Sequence, residues 1–256
     1  MKSVCGRLIV IFGMLVFYAA CMPQPKPGIN TSNVDQCVIL LHGLARTTSS
    51  MEEIQNALSA EGYYVVSVDY PSRKHPIEDL ASSVIPDKIS TCNSHVDGDI
   101  HFVTHSLGGI LVRQYLAENT IDNLGRVVML SPPNQGSEVV DALKDVPGFF
   151  LINGPAGMQL GTDANSVPAN LPPVTYEVGV ITGDKTVNYI LSMIIPGDDD
   201  GKVSIDRARV EGMADFLVVN HSHTFIMKSE DVIAQIAAFL HAGQFNHPAD
   251  PHLSPD

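Results

Sequence analysis

Six short apolar runs alternate with stretches of helical spacing, and this alternation limits the folds open to the chain more than any other feature. CVILLHG at 37–43, YVVSVDYPS at 64–72, IHFVTH at 100–105, RVVMLSPPN at 126–134, YEVGVITG at 176–183 and FLVVN at 216–220 each read as a buried strand. Between them, Met51, Ile54 and Leu58 repeat at helical spacing, and 77–89 is helix-like, with Pro86 predicting a break or kink. The run ILVRQYL carries a third helix to about Asn119, and Glu138 to Leu143 starts a short one. An amphipathic helix is predicted from Asp231 to His241, with Ile233, Ile236 and Leu240 on one face. Strands alternating with helices imply parallel βαβ units, hence a layered α/β domain whose site lies beyond the carboxyl ends of the strands.

A chain of 256 residues suits one such domain. Its start reads differently. Lys2 and Arg7 precede LIVIFGMLVFYAA at 8–20, the size of a signal-peptide apolar region and short of the roughly 20 residues that span a bilayer. YAAC at 18–21 resembles a bacterial lipobox, with Tyr18 where leucine is usual, so Cys21 is the candidate lipidation site. The expected location is therefore outside the cytoplasm, as a membrane-anchored lipoprotein facing the periplasm or, alternatively, as a secreted soluble protein. Residues 22–36 form a proline-rich tether, 37–243 the folded domain and 244–256 a flexible tail. Cys37 and Cys92 each lie shortly before a predicted strand, so a parallel sheet brings both near one edge. Export permits a disulfide between them; two buried free thiols are the alternative.

With 28 acidic against 15 basic residues, a net charge of −13 argues against a nucleic-acid partner. The chemistry is carried instead by FVTHSLGGIL at 102–111, where Ser106 stands at a strand-to-helix corner that holds its hydroxyl out of the sheet. A serine hydroxyl is a weak nucleophile at neutral pH and needs a base, itself oriented by a third group. Asp200 in PGDDDGKVS and His223 in VVNHSHTF follow in that order, each after a predicted strand. Asp199 is the alternative acid and His221 the alternative base. The acidic run is no EF-hand, because Pro196 and Arg207 fall at the terminal ligand positions. No HExxH and no GxGxxG is present, so neither a metal nor a dinucleotide cofactor is expected. His42, His101 and His105 read as structural neighbours of the motifs.

THSLGG at 104–109, LLHGL at 40–44, SPPNQGSE at 131–138, the DG-x-V pattern at 200–203 and SHTF at 222–225 together resemble the α/β-hydrolase superfamily. The resemblance spans roughly 36–243 and is closest to the small bacterial serine lipase and esterase branch. It implies a mostly parallel central sheet of about six strands, lacking the family's first two, with helices on both faces and a small lid at most. It implies Ser106 as nucleophile, His223 as general base and Asp200 as the acid, with the backbone N–H groups of Leu44 and Leu107 as oxyanion donors. Thr104 departs from the glycine of the family's GxSxG and is tolerable if its side chain faces a small neighbour. The apolar segment at 145–173 is either a small cover over Ser106 or packed core. The activity implied is hydrolysis of carboxylic esters, lipid or medium-chain acyl, through an acyl-enzyme on Ser106. The alternatives are an acyltransferase using the same residues and a membrane-tethered binding protein whose activity has lapsed. The expected partners are then a small ester or lipid substrate and, through the N-terminus, a membrane.

Overall fold

The computed structural model describes residues 33–247. Six parallel strands, β1 (Cys37–Leu41), β2 (Tyr64–Val68), β3 (Ile100–His105), β4 (Leu124–Leu130), β5 (Val178–Lys185) and β6 (Asp215–Ser222), form one open sheet in the order β2-β1-β3-β4-β5-β6. The helices are α1 (Glu52–Ala60), α2 (Ile77–Asn93), α3 (Leu107–Glu118), α4 (Glu138–Leu143), α5 (Phe149–Met158), α6 (Val167–Asn170), α7 (Tyr189–Ser192), α8 (Ile205–Ala208) and α9 (Glu230–Ala242).

Successive residues of a strand face opposite sides of the sheet, and β1 shows what this does. Val38 and Leu40 join the core beneath α1 and α9, whereas Cys37, Ile39 and Leu41 join the core beneath α2 and α3. Both faces are covered, so β1 and β3 are buried along their whole length. That is why those runs are continuously apolar rather than alternating.

Four local expectations change. α2 runs unbroken through Pro86, because Pro86 and Ser82, whose carbonyl loses its partner, both lie on the exposed face. The helix also runs past residue 89, so that Cys92 sits in its last turn and bonds Cys37 at the amino end of β1 across a Cα–Cα distance of 5.7 Å. The end of the tether is packed: Asn33 is buried and donates to the Glu61 carbonyl, and the Asp35 carbonyl accepts from Gly98 N–H. The start of the tail is packed as well. Phe245 is buried against Phe239, and Asp215 accepts from both Phe245 N–H and His247. An aromatic ring just past the helix end had an apolar gap to fill, which a reading of polarity alone overlooks. Cys21 and the leader lie outside the described residues, as does 248–256.

Candidate active site

Ser106 joins β3 to α3 with φ 51° and ψ −119°, a backbone state that costs a non-glycine residue about 1–3 kcal/mol. The corner is held from both sides: Ser106 N–H donates to the Leu130 carbonyl at 2.9 Å, and Gly109 N–H donates to the Ser106 carbonyl at 3.0 Å. α3 comes so close to the sheet that a Cβ at Gly108 would stand 2.6 Å from the Leu41 carbonyl oxygen. A Cβ at Gly109 would stand 3.2 Å from Thr104 Oγ1, so this glycine is the small neighbour that makes room for threonine in the motif.

The structure brings Ser106, His223 and Asp200 together although they are far apart in sequence. His223 Nε2 lies 3.1 Å from Ser106 Oγ, and His223 Nδ1 lies 2.8 Å from Asp200 Oδ2. The second carboxylate oxygen accepts from Lys202 N–H at 3.0 Å and Val203 N–H at 2.9 Å. A backbone bond from His223 N–H to the Asp200 carbonyl, 2.9 Å, ties the two loops directly. Burial alone would raise the Asp200 pKa, but the His223 partner and the Val203 amide outweigh it and hold the carboxyl below its usual range. Ser131 Oγ lies near the same carboxylate without forming a well-aligned bond to it.

The alternative residues do other work. Asp199 accepts from Ser192 Oγ and from Gly201 N–H at 2.6 Å, shaping the loop that presents Asp200. His221 turns away to Asp231, 2.9 Å distant on α9. His105 proves more than a bystander. Its Nε2 lies 3.0 Å from the His223 carbonyl oxygen, its ring is tilted 55° to that of His223 with centroids 4.9 Å apart, and burial pushes its pKa well below the ordinary histidine value. As a neutral donor it ties the nucleophile strand to the histidine loop.

Leu107 is the first residue of α3, and Leu44 follows His42-Gly43 at the end of β1. Among the described residues neither backbone N–H donates a hydrogen bond. Ser106, His105 and His223 open into a pocket of about 290 Å³ whose other walls are mainly apolar, among them Val139, Leu143, Phe149, Leu160 and Leu191. The 145–173 segment is both of the things expected of it. α5 turns Phe149 into the pocket and sets the exposed Ile152 at its rim, while Phe150 and Leu151 face solvent. Gly154 at φ 66° bends it so closely over Arg73 that a Cβ there would meet the Arg73 carbonyl oxygen at 1.9 Å. Among the described residues no cluster of His, Cys, Asp and Glu is arranged to hold a metal ion.

Over residues 38–236 the sequence matches the alpha/beta hydrolase family. The chain belongs to that family. No match was found among curated proteins. Among solved structures, this hydrolase is similar to the mature form of the lipase BlEst2 from Bacillus licheniformis, with a TM-score of 0.67 and 18% identity over 86% of this chain and 94% of that one. It is also similar to the metagenomic carboxyl esterase MGS0156, TM-score 0.62 and 18% identity, covering 81% of this chain and 71% of that one. Phospholipase PlaB from Legionella pneumophila matches with a TM-score of 0.58 and 18% identity, 74% of this chain against 52% of that one. These likenesses bear on the fold of the hydrolase.

The motifs did not point to three features of this pocket. α7 and the residue after it present Tyr189, Ile190 and Met193 to solvent while Leu191 lines the pocket, and the only signal in sequence was an apolar stretch between β5 and the aspartates. Arg46 and Lys202 also line it. Each stands two residues beyond a motif residue, Leu44 or Asp200, with no pattern of its own.

Proposed function

We propose that this hydrolase cleaves carboxylic esters, with lipid or medium-chain acyl esters as the substrate class, through an acyl-enzyme on Ser106. The single observation that carries the reading is the unbroken run of contacts from Ser106 Oγ through the His223 ring to Asp200. His223 Nε2 takes the hydroxyl proton as Oγ attacks the ester carbonyl carbon. The tetrahedral oxyanion is received by the Leu44 and Leu107 N–H groups, the latter at the amino end of a helix whose dipole favours negative charge. The imidazolium gives its proton to the departing alcohol oxygen and leaves the acyl group on Ser106. Water then attacks the acyl carbon, loses its proton to His223, and the collapse releases the carboxylic acid and restores the serine. Asp200 holds the proton on Nδ1 throughout and stabilises the imidazolium.

The apolar walls favour an acyl chain, since each buried methylene contributes about 0.8 kcal/mol. An exported, lipid-anchored enzyme fits this reading, and the Cys37–Cys92 bridge supports an oxidising compartment. The test is labelling with a fluorophosphonate, followed by product analysis on medium-chain esters. Wild type should be modified and should release free acid, and Ser106→Ala should do neither. An unlabelled wild type would favour a binding protein, and acyl transfer to added alcohol in preference to water would favour the transferase.

A further inference from the structure

Two cations face the pocket without a role in the chemistry above. Arg46 projects from the exit of β1 and Lys202 from the turn that presents Asp200, and both line the cavity over Ser106. Among the described residues neither side chain has a hydrogen bond or an ion pair. In a chain with 28 acidic and 15 basic residues, carboxylates are plentiful, so two bare cations beside a nucleophile are not a matter of composition. They also sense each other. Crowding by the protein, and then the Arg46 charge, hold the Lys202 ammonium below the ordinary lysine range, although Lys202 is an exposed residue. The anion nearest in effect, Asp200, is already engaged by His223.

Arg46 is shared with a second cavity of about 420 Å³, lined also by Ser72, Arg73, Lys74 and the exposed Leu151. Arg73 and Lys74 are exposed and make no ion pair among the described residues. Asp69 is the one carboxylate on its wall; it is mostly exposed and stands 3.8 Å from His42 Nε2. Cations outnumber carboxylates on the walls of the two cavities, on a protein of charge −13. An apolar slot thus meets a cationic one, with Arg46 where they join.

We propose that the site takes amphiphilic esters bearing an anionic group. The apolar chain fills the pocket over Ser106, and the anion, a phosphate or a carboxylate, sits against Arg46 and Lys202. The proposal rests on the serine-hydrolase reading for turnover but not for binding. Guanidinium suits either anion, because its planar fork pairs two N–H groups with two oxygens.

Three esters with one acyl chain separate the possibilities: octanoylglycerol 3-phosphate, octanoyl glycerate and neutral octanoylglycerol, all kept below micelle formation so that no lipid surface contributes. We expect kcat/KM to be at least about tenfold higher for an anionic ester than for the neutral one. The faster of the two anionic esters identifies the anion. The preference should shrink as salt rises from about 0.05 to about 0.5 M, and should collapse towards unity in Arg46→Gln, fall partly in Lys202→Gln, and recover partly in Arg46→Lys. In parallel, calorimetry on Ser106→Ala compares octyl phosphate, octyl glucoside and inorganic phosphate, with octyl phosphate expected tightest by a similar factor. Turnover without anionic preference would overturn this proposal and leave the esterase intact. Tight octyl phosphate binding with no turnover of any ester would do the reverse. Equal binding of octyl phosphate and octyl glucoside, or binding of inorganic phosphate as tight as octyl phosphate, would also overturn it.

Discussion

The two ends of β3 each carry a buried histidine, and the two are built to opposite ends. At the amino end, His101 is fully bonded: Nε2 lies 3.0 Å from Gln36 Oε1, and Nδ1 accepts from Arg126 N–H at 2.7 Å. Around it the chain is stapled by the Cys37–Cys92 bond and by the Asp35 contacts to Asp97 and Gly98. At the carboxyl end, His105 has one nitrogen on the His223 carbonyl and the other without a partner. Ala45, Ser106 and Ser131, the non-glycine residues at positive φ among those described, lie beyond the carboxyl ends of β1, β3 and β4. Backbone strain of this kind therefore gathers where the reacting groups stand, and the bonded surroundings of His101 at the other end of β3 offset it. One end holds the fold, and the other holds chemistry at some expense to it.

The contrast breaks most sharply at Ser106. Replacing it with alanine removes the hydroxyl, leaves the φ 51° corner as it is and empties no core, so turnover should fall by about 10⁶-fold while the melting temperature holds. An S106A protein that retains ester turnover would remove the carboxyl end from the comparison altogether. Asp200→Ala should lower kcat by about 10⁴-fold, and Asp199→Ala far less, measured on one chromogenic ester. The reverse order would move the acid to Asp199.

At the amino end the effects should appear in stability and spare catalysis. Cys37→Ser with Cys92→Ser opens a loop of 55 residues and should lower the unfolding free energy by about 2–4 kcal/mol, with kcat at low temperature unchanged. His101 tests the same end by pH. Burial lowers its pKa to about 4, so between about pH 6.5 and pH 4 the unfolded chain binds a proton that the folded chain refuses. This contribution is complete above pH 6.5 and is lost across that window, by up to about 3 kcal/mol. Denaturant titrations should show the slope, and His101→Gln should flatten it. The smallest effect sharpens the picture rather than breaking it. His105→Leu should cost about tenfold in kcat and shift its pH profile, with His105→Gln, which keeps a donor near Nε2, restoring part of both.

Much of this was legible in the chain. Continuous apolar runs mark strands covered on both faces, and five short motifs in one order mark their carboxyl ends, because backbone period and turn chemistry are local properties. The small neighbour that Thr104 needs could be stated from sequence as a requirement; only packing showed it to be Gly109. The motifs already favoured Asp200 and His223 over Asp199 and His221; the distances that join His223 to Asp200 and Ser106 depend on where a loop from β5 meets a loop from β6. Tertiary structure also turned His105 towards the His223 carbonyl, drew Phe245 out of a polar tail into the core, and set Arg46 and Lys202 on the walls of one pocket. Each of these brings together residues distant in sequence, governed by distance and burial, and no local pattern of residues encodes either.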